Sequence, residues 1–128
     1  MSAIGRCQWA IAAGFAPSRS TGEEPEFTSR DTLSLLNSGD DVANVRIHVL
    51  YATRGEIGPF RLGVAPRRLR RVRINDLIFP EAVRLDEPYS LRVSSDVPVV
   101  VQFGRQDTRA AANAGLLASA WAASTTSP

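Results

Sequence analysis

The chain has 128 residues and a mass of 13.9 kDa, the size of one domain with one core. Its 44% hydrophobic and 22% charged residues exclude wholesale disorder, and no apolar run approaches the ~20 residues that carry a helix across a bilayer. One cysteine (Cys7) and one histidine (His48) exclude an internal disulfide and a Cys/His zinc site, a reducing compartment is expected, and the net charge is only +2.

Taken from the N-terminus, the pattern has period two almost throughout. Residues 7–16 follow Arg6 and superficially resemble a secretory leader, but they lack a leucine core, are broken by Gln8 and Gly14, and would be cut before Pro17. A strand over 7–13 is expected instead, then a surface loop over 18–25 and a second strand over 32–36. Val45, Ile47, Val49 and Tyr51 alternate with Arg46, His48 and Leu50, which predicts a strand with one face on a core. Phe60, Leu62 and Val64 predict the next strand, and Val72 and Ile74, alternating with Arg71 and Arg73, the one after. Tyr89, Leu91 and Val93 predict a sixth. The valine-rich run 97–103 predicts a seventh strand, buried on both faces. Turn formers fall between these runs at residues 37–41, 53–55, 65–66, 79–80 and 94–96. The alanine-rich stretch 105–123 fits either a short helix or a turn followed by a strand over 115–122, and the second is favoured. Short strands at this spacing indicate an antiparallel sandwich or barrel. A frayed tail is expected over residues 123–128.

The sites of common chemistry are missing. His48 sits mid-strand with no nucleophile motif around it, and the acid pairs Glu23-Glu24, Asp40-Asp41 and Asp86-Glu87 fall in expected turns, where carboxylates are solvated. No glycine pattern forms a dinucleotide or phosphate loop. The sequence therefore points away from an enzyme, and no metal or cofactor is expected.

Charge is distributed in poles. All fifteen basic residues are arginine; six of them and no acid lie in residues 61–73, whereas residues 21–41 hold six acids and one arginine. Arg67, Arg68, Arg70, Arg71 and Arg73 are the strongest local signal, with Arg67 and Arg68 expected in a turn and Arg71 and Arg73 on one face of the strand. Guanidiniums so close repel one another unless acids or phosphates neutralise them. Three readings compete: pairing with acidic loops of this chain or a neighbouring subunit, docking on an acidic protein or anionic membrane, and binding nucleic acid. The last is the weakest, because no aromatic interleaves the arginines. Asn75 and Asp76 are expected to hold the following turn. Arg105, Asp107 and Arg109 form a second polar cluster, most simply a turn-fixing or intersubunit ion pair. Trp9 is expected in the core rather than as a sugar platform; exposure of Trp9 or Trp121 beside a polar cleft would favour a carbohydrate module.

Several segments in order carry a resemblance. They are Ile4-Gly5-Arg6, Trp9-Ala10-Ile11-Ala12, Glu24-Pro25-Glu26-Phe27, Leu36-Asn37 with Gly39-Asp40, Gly58-Pro59-Phe60-Arg61-Leu62 and Arg67-Arg68, then Val72-Arg73-Ile74-Asn75-Asp76-Leu77, Val97-Pro98-Val99-Val100-Val101-Gln102 and Arg105-Gln106-Asp107. Over residues 4–122 the chain resembles the sensory rhodopsin transducer family. The resemblance implies an all-β, jelly-roll-like antiparallel β-sandwich of a single domain, a cytoplasmic homotetramer, and a partner in the cytoplasmic face of a seven-helix membrane photoreceptor. It also implies DNA or a small ligand such as a carbohydrate as alternative partners. Histidines expected from the resemblance at the positions of Arg30, Arg71 and Phe103 are replaced here, which removes any metal or proton-linked role for them and strengthens the basic character. The function expected is that of a non-enzymatic signalling adaptor, cytoplasmic and peripheral at the inner membrane through its receptor.

Overall fold

The computed structural model describes residues 3–15, 30–78, 80–84, 87–107, 114–119 and 121–122. Eight strands are found among them: β1 (Arg6–Phe15), β2 (Arg30–Asn37), β3 (Ala43–Tyr51), β4 (Ile57–Val64), β5 (Arg68–Arg73), β6 (Pro88–Asp107), β7 (Ala114–Ser119) and β8 (Trp121–Ala122). A single 3₁₀ turn, Ile74–Asp76, follows β5. Every strand pairing is antiparallel. The fold is an all-β antiparallel sandwich.

β6 organises both layers. Its first half lies between β1 and β3 in the order β4-β3-β6-β1-β8, and its second half lies between β2 and β7, with β5 on the far side of β2. One 20-residue strand thus crosses from one sheet to the other. The expected turn at Ser94-Ser95-Asp96 is not there; the two strands expected on either side of it are continuous. Turn-forming side chains serve the crossing instead. Ser95 is buried and its Oγ accepts from Val97 N–H, while Asp96 accepts from Asn44 at the start of β3. The valine run is also not buried on both faces. Val99, Val101 and Phe103 are buried, Val97 and Val100 are half-buried and Gln102 is exposed, so the run alternates like the other strands.

The core is built from the apolar phase of each strand. Val45, Ile47 and Val49 of β3 are buried, as are Phe60 and Val64 of β4, Leu33 and Leu35 of β2, and Leu91 and Val93 of β6. Burying each such side chain contributes about 1.5–3 kcal/mol. Trp9 packs against this core and donates its indole N–H to the Val99 carbonyl at 2.9 Å. The single last strand expected over 115–122 is found as two short strands in different sheets, β7 on β6 and β8 on β1. Among the described residues no helix is long and apolar enough to cross a membrane. The loop at 18–25 and the tail at 123–128 lie outside the described residues.

Besides Ser95, two polar side chains among the described residues are built into the interior. Asp31 is fully buried and accepts from Phe15 N–H at 2.7 Å and from the Tyr89 hydroxyl. Gly14 makes room for that tyrosine, since a Cβ there would lie 2.4 Å from the Tyr89 ring. Asn37, also fully buried, donates Nδ2 to the carbonyls of Asp41 and Val64 and accepts from Gly39 N–H. It fixes the loop between β2 and β3 against the end of β4.

Candidate functional site

The arginine-rich segment forms β5, an edge strand bonded only to β2 among the described residues. The register is Leu36 to Leu69, Leu35 to Arg70, Ser34 to Arg71, Leu33 to Val72 and Thr32 to Arg73. Because Leu33 and Leu35 are buried, the side chains opposite them belong to the inward phase and their neighbours to the outward one. The arginines therefore divide. Arg71 and Arg73 share the outer face with Leu69, as expected; Arg68 and Arg70 take the inward phase at the open edge of the sandwich. Val72 is only half-buried, and Ile74, expected to end the strand, is buried within the 3₁₀ turn.

Each cation has its own surroundings. Arg67 lies in the turn, as expected, with φ 53°, and is 73% exposed. That left-handed conformation is uncommon for a residue other than glycine. Its Nη1 is 3.8 Å from Asp40 Oδ1, in the loop that Asn37 fixes. Arg68 begins β5 rather than completing the turn and donates to the Arg67 carbonyl. Arg70 Nη1 donates to the Gly63 carbonyl of β4 at 2.7 Å and so laces the two sheets together. Arg73 Nε is 3.5 Å from Asp76 Oδ1, an ion pair too poorly aligned to count as a hydrogen bond. Asn75 is half-buried, and its Oδ1 has no partner among the described residues. Arg71 is exposed and makes no ion pair or hydrogen bond among them.

Beside these cations the outer face carries exposed apolar surface. Leu69 is 56% exposed and faces Leu36, 39% exposed, across the pair, with half-buried Val100 next in line on β6. An apolar row bordered by Arg71 is suited to a protein surface of mixed apolar and acidic character.

The other expected cluster is only partly in view. Arg105 lies in β6 directly opposite Asp31, Asp107 lies opposite Ala114 of β7, and Arg109 is outside the described residues. Of the acid pairs, Asp40 and Asp41 are exposed in their loop, Glu87 pairs with Arg54 at 2.8 Å, and Glu23, Glu24 and Asp86 are outside the described residues. His48 is half-buried on β3 with its Nδ1 unpartnered among the described residues. Among them no group of three or more His, Cys, Asp or Glu side chains can hold a metal ion.

A further set of cations escaped sequence reasoning. Arg46 of β3 stands directly opposite Arg61 of β4 and, on its other side, opposite Ser94 of β6; His48 stands opposite Arg92. These residues are scattered in the chain, and only the strand register brings them together. The single signal available was that each occupies the polar phase of an alternating run.

The model of the Anabaena sensory rhodopsin transducer family matches residues 4–122. Among solved structures, the Anabaena sensory rhodopsin transducer is 40% identical with a TM-score of 0.73, over 80% of this chain and 97% of that one. The Thermotoga maritima protein 1070 shares the fold at 24% identity and a TM-score of 0.78, over 93% of this chain and 96% of that one. No curated protein matches.

Proposed function

The chain belongs to the Anabaena sensory rhodopsin transducer family, and from that premise we propose that it is a non-enzymatic adaptor that docks on the cytoplasmic face of a membrane photoreceptor. The surface we assign to docking is the turn and strand carrying Arg67, Arg68, Arg71 and Arg73. Arg70 laces the sandwich beneath it, and Asn75 and Asp76 shape the end of the strand. The observation that carries the reading is the exposed apolar row Leu69–Leu36, bordered by Arg71, which no acid among the described residues neutralises. Charges at the border of an interface steer encounter, while the apolar centre holds the complex.

The same reading includes a cytoplasmic homotetramer; the competing use of the basic strand is to meet the acidic loop around Asp40 and Asp41 of the next subunit, a head-to-tail contact that closes into a ring and would take this surface from the receptor. Binding of the full chain to a sensory rhodopsin in lipid nanodiscs tests the receptor contact. Arg67→Gln with Arg71→Gln should slow association and flatten its salt dependence. Association unchanged by both substitutions would remove this surface from the reading. Affinity for random duplex DNA that falls with salt at a slope of about −0.9 per phosphate neutralised would instead favour nucleic acid.

A further inference from the structure

We infer that the outer face of β3 and β4 holds a binding site for a phosphoryl group, clasped between the guanidiniums of Arg46 and Arg61. The two arginines are direct cross-strand partners, in a position where side-chain origins lie about 4.5–5.5 Å apart. Like charges directly opposite each other destabilise a sheet. Nothing in the described chain relieves this pair, for neither arginine makes a hydrogen bond or an ion pair there. The nearest acids are bound to other groups than this pair: Asp96 takes two hydrogen bonds from Asn44 at the rim of the site, at 2.8 Å each, and Glu56 pairs with Arg92 at 3.5 Å.

The pair lines a depression of about 310 Å³ together with Asn44, Val45 and Leu62. Arg46 is half-buried and Arg61, directly opposite, is exposed, and both line this space. Ser94 stands opposite Arg46 on its other side, just beyond the depression. Two guanidinium forks approaching from adjacent strands match the several acceptor oxygens and the double negative charge of a phosphate better than they match a single carboxylate. The depression is open on its outer side, so a phosphomonoester can seat its phosphoryl group with its substituent in solvent. This site lies on the opposite layer from β5 and does not depend on the docking surface assigned above.

Titration of the full-length chain with inorganic phosphate and with phenyl phosphate at constant ionic strength, followed by amide resonances, tests the assignment. Saturable shifts are expected at residues 44–46, 61–62 and 94, from both probes and with acetate much weaker. Arg61→Gln and Arg46→Gln should each raise the apparent Kd by roughly tenfold or more, the loss of one charge-assisted partner. Arg61→Lys, which keeps the charge and loses the fork, should weaken binding as well, while Arg71→Gln should leave it unchanged. Removing one of two repelling charges should not unfold the protein, and a thermal scan of each variant without ligand checks this. Shifts that do not saturate, that centre on the β5 arginines, or that acetate reproduces equally would overturn the assignment; phosphate binding without phenyl phosphate binding would overturn the open, ester-accepting geometry.

Discussion

The Tyr89 hydroxyl donates to Asp31 Oδ2 at 2.5 Å, joining β6 to β2 in the interior by a hydrogen bond to a carboxylate. Tyr89 is 3% exposed and Asp31 not at all, so the bond is made away from water. Tyr89→Phe removes one donor from a buried acid and should cost about 1.5–3 kcal/mol, the range for hydrogen bonds to charged groups. Urea unfolding measures it, and a loss below about 0.5 kcal/mol would show that the bond contributes little.

Gly14 provides an independent check of the same contact. An added Cβ would sit 2.4 Å from Cε1 and Cζ of the Tyr89 ring, well inside van der Waals contact. Gly14→Ala should displace the ring and destabilise the fold by about 1–3 kcal/mol, as overpacking does. A crystal structure of the variant should show the Tyr89 hydroxyl withdrawn from Asp31.

Arg67 separates function from folding. Its left-handed backbone costs a residue with a side chain roughly 1–2 kcal/mol, whereas glycine pays instead in chain entropy, roughly 0.5–1 kcal/mol. These nearly cancel, and the exposed contact to Asp40 adds little. Arg67→Gly should therefore leave stability within about 1 kcal/mol while weakening association with the receptor. A variant that binds as fast as the unaltered chain would exclude Arg67 from the contact.

Asp96 sets a dependence on acid. Hydrogen bonds from the backbone N–H of Asn44 and then from its side-chain amide hold the carboxyl below the usual carboxylate range. A folded-state value below the unfolded one contributes stability that is complete above the unfolded value and is lost as pH falls through the folded one. Replacing Asp96 by Ala should lower stability near neutrality and flatten the decline below about pH 4. Chemical denaturation across that range compares the two slopes.

Leu69 reports on assembly. At 56% exposure it buries little in the single chain, so Leu69→Gln should change folding stability by no more than about 0.5 kcal/mol. If the outer face of β5 joins subunits, light scattering should show the proposed tetramer shifting to smaller species. An unchanged mass would leave that face free for the receptor.

The strand phases were legible in the sequence because each inward position is apolar. Val45, Ile47 and Val49 are at most 1% exposed, just where the alternation put them. The arginine-rich strand was legible only from Val72 onward; its earlier inward positions are held by Arg68 and Arg70, so alternation gave no sign that the strand starts at Arg68. The long β6 was not, because Ser94, Ser95 and Asp96 have the composition of a turn, and composition does not distinguish a chain that reverses from one that changes sheets. Asp31 was counted among the acids of a charged pole; its burial depends on Tyr89, which lies 58 residues away. Arg46 and Arg61 meet only through register, which no local window contains.

The sharing of β6 between the layers bears on how the molecule comes apart. Neither sheet retains its central strand without residues 88–107, and the partners β1, β2 and β3 are all distant in sequence. Most pairings must close long loops before they are rewarded, which places the chain among the slower-folding topologies. With no layer able to persist alone, loss of β6 dissolves both at once, and the sandwich melts as one cooperative unit rather than sheet by sheet.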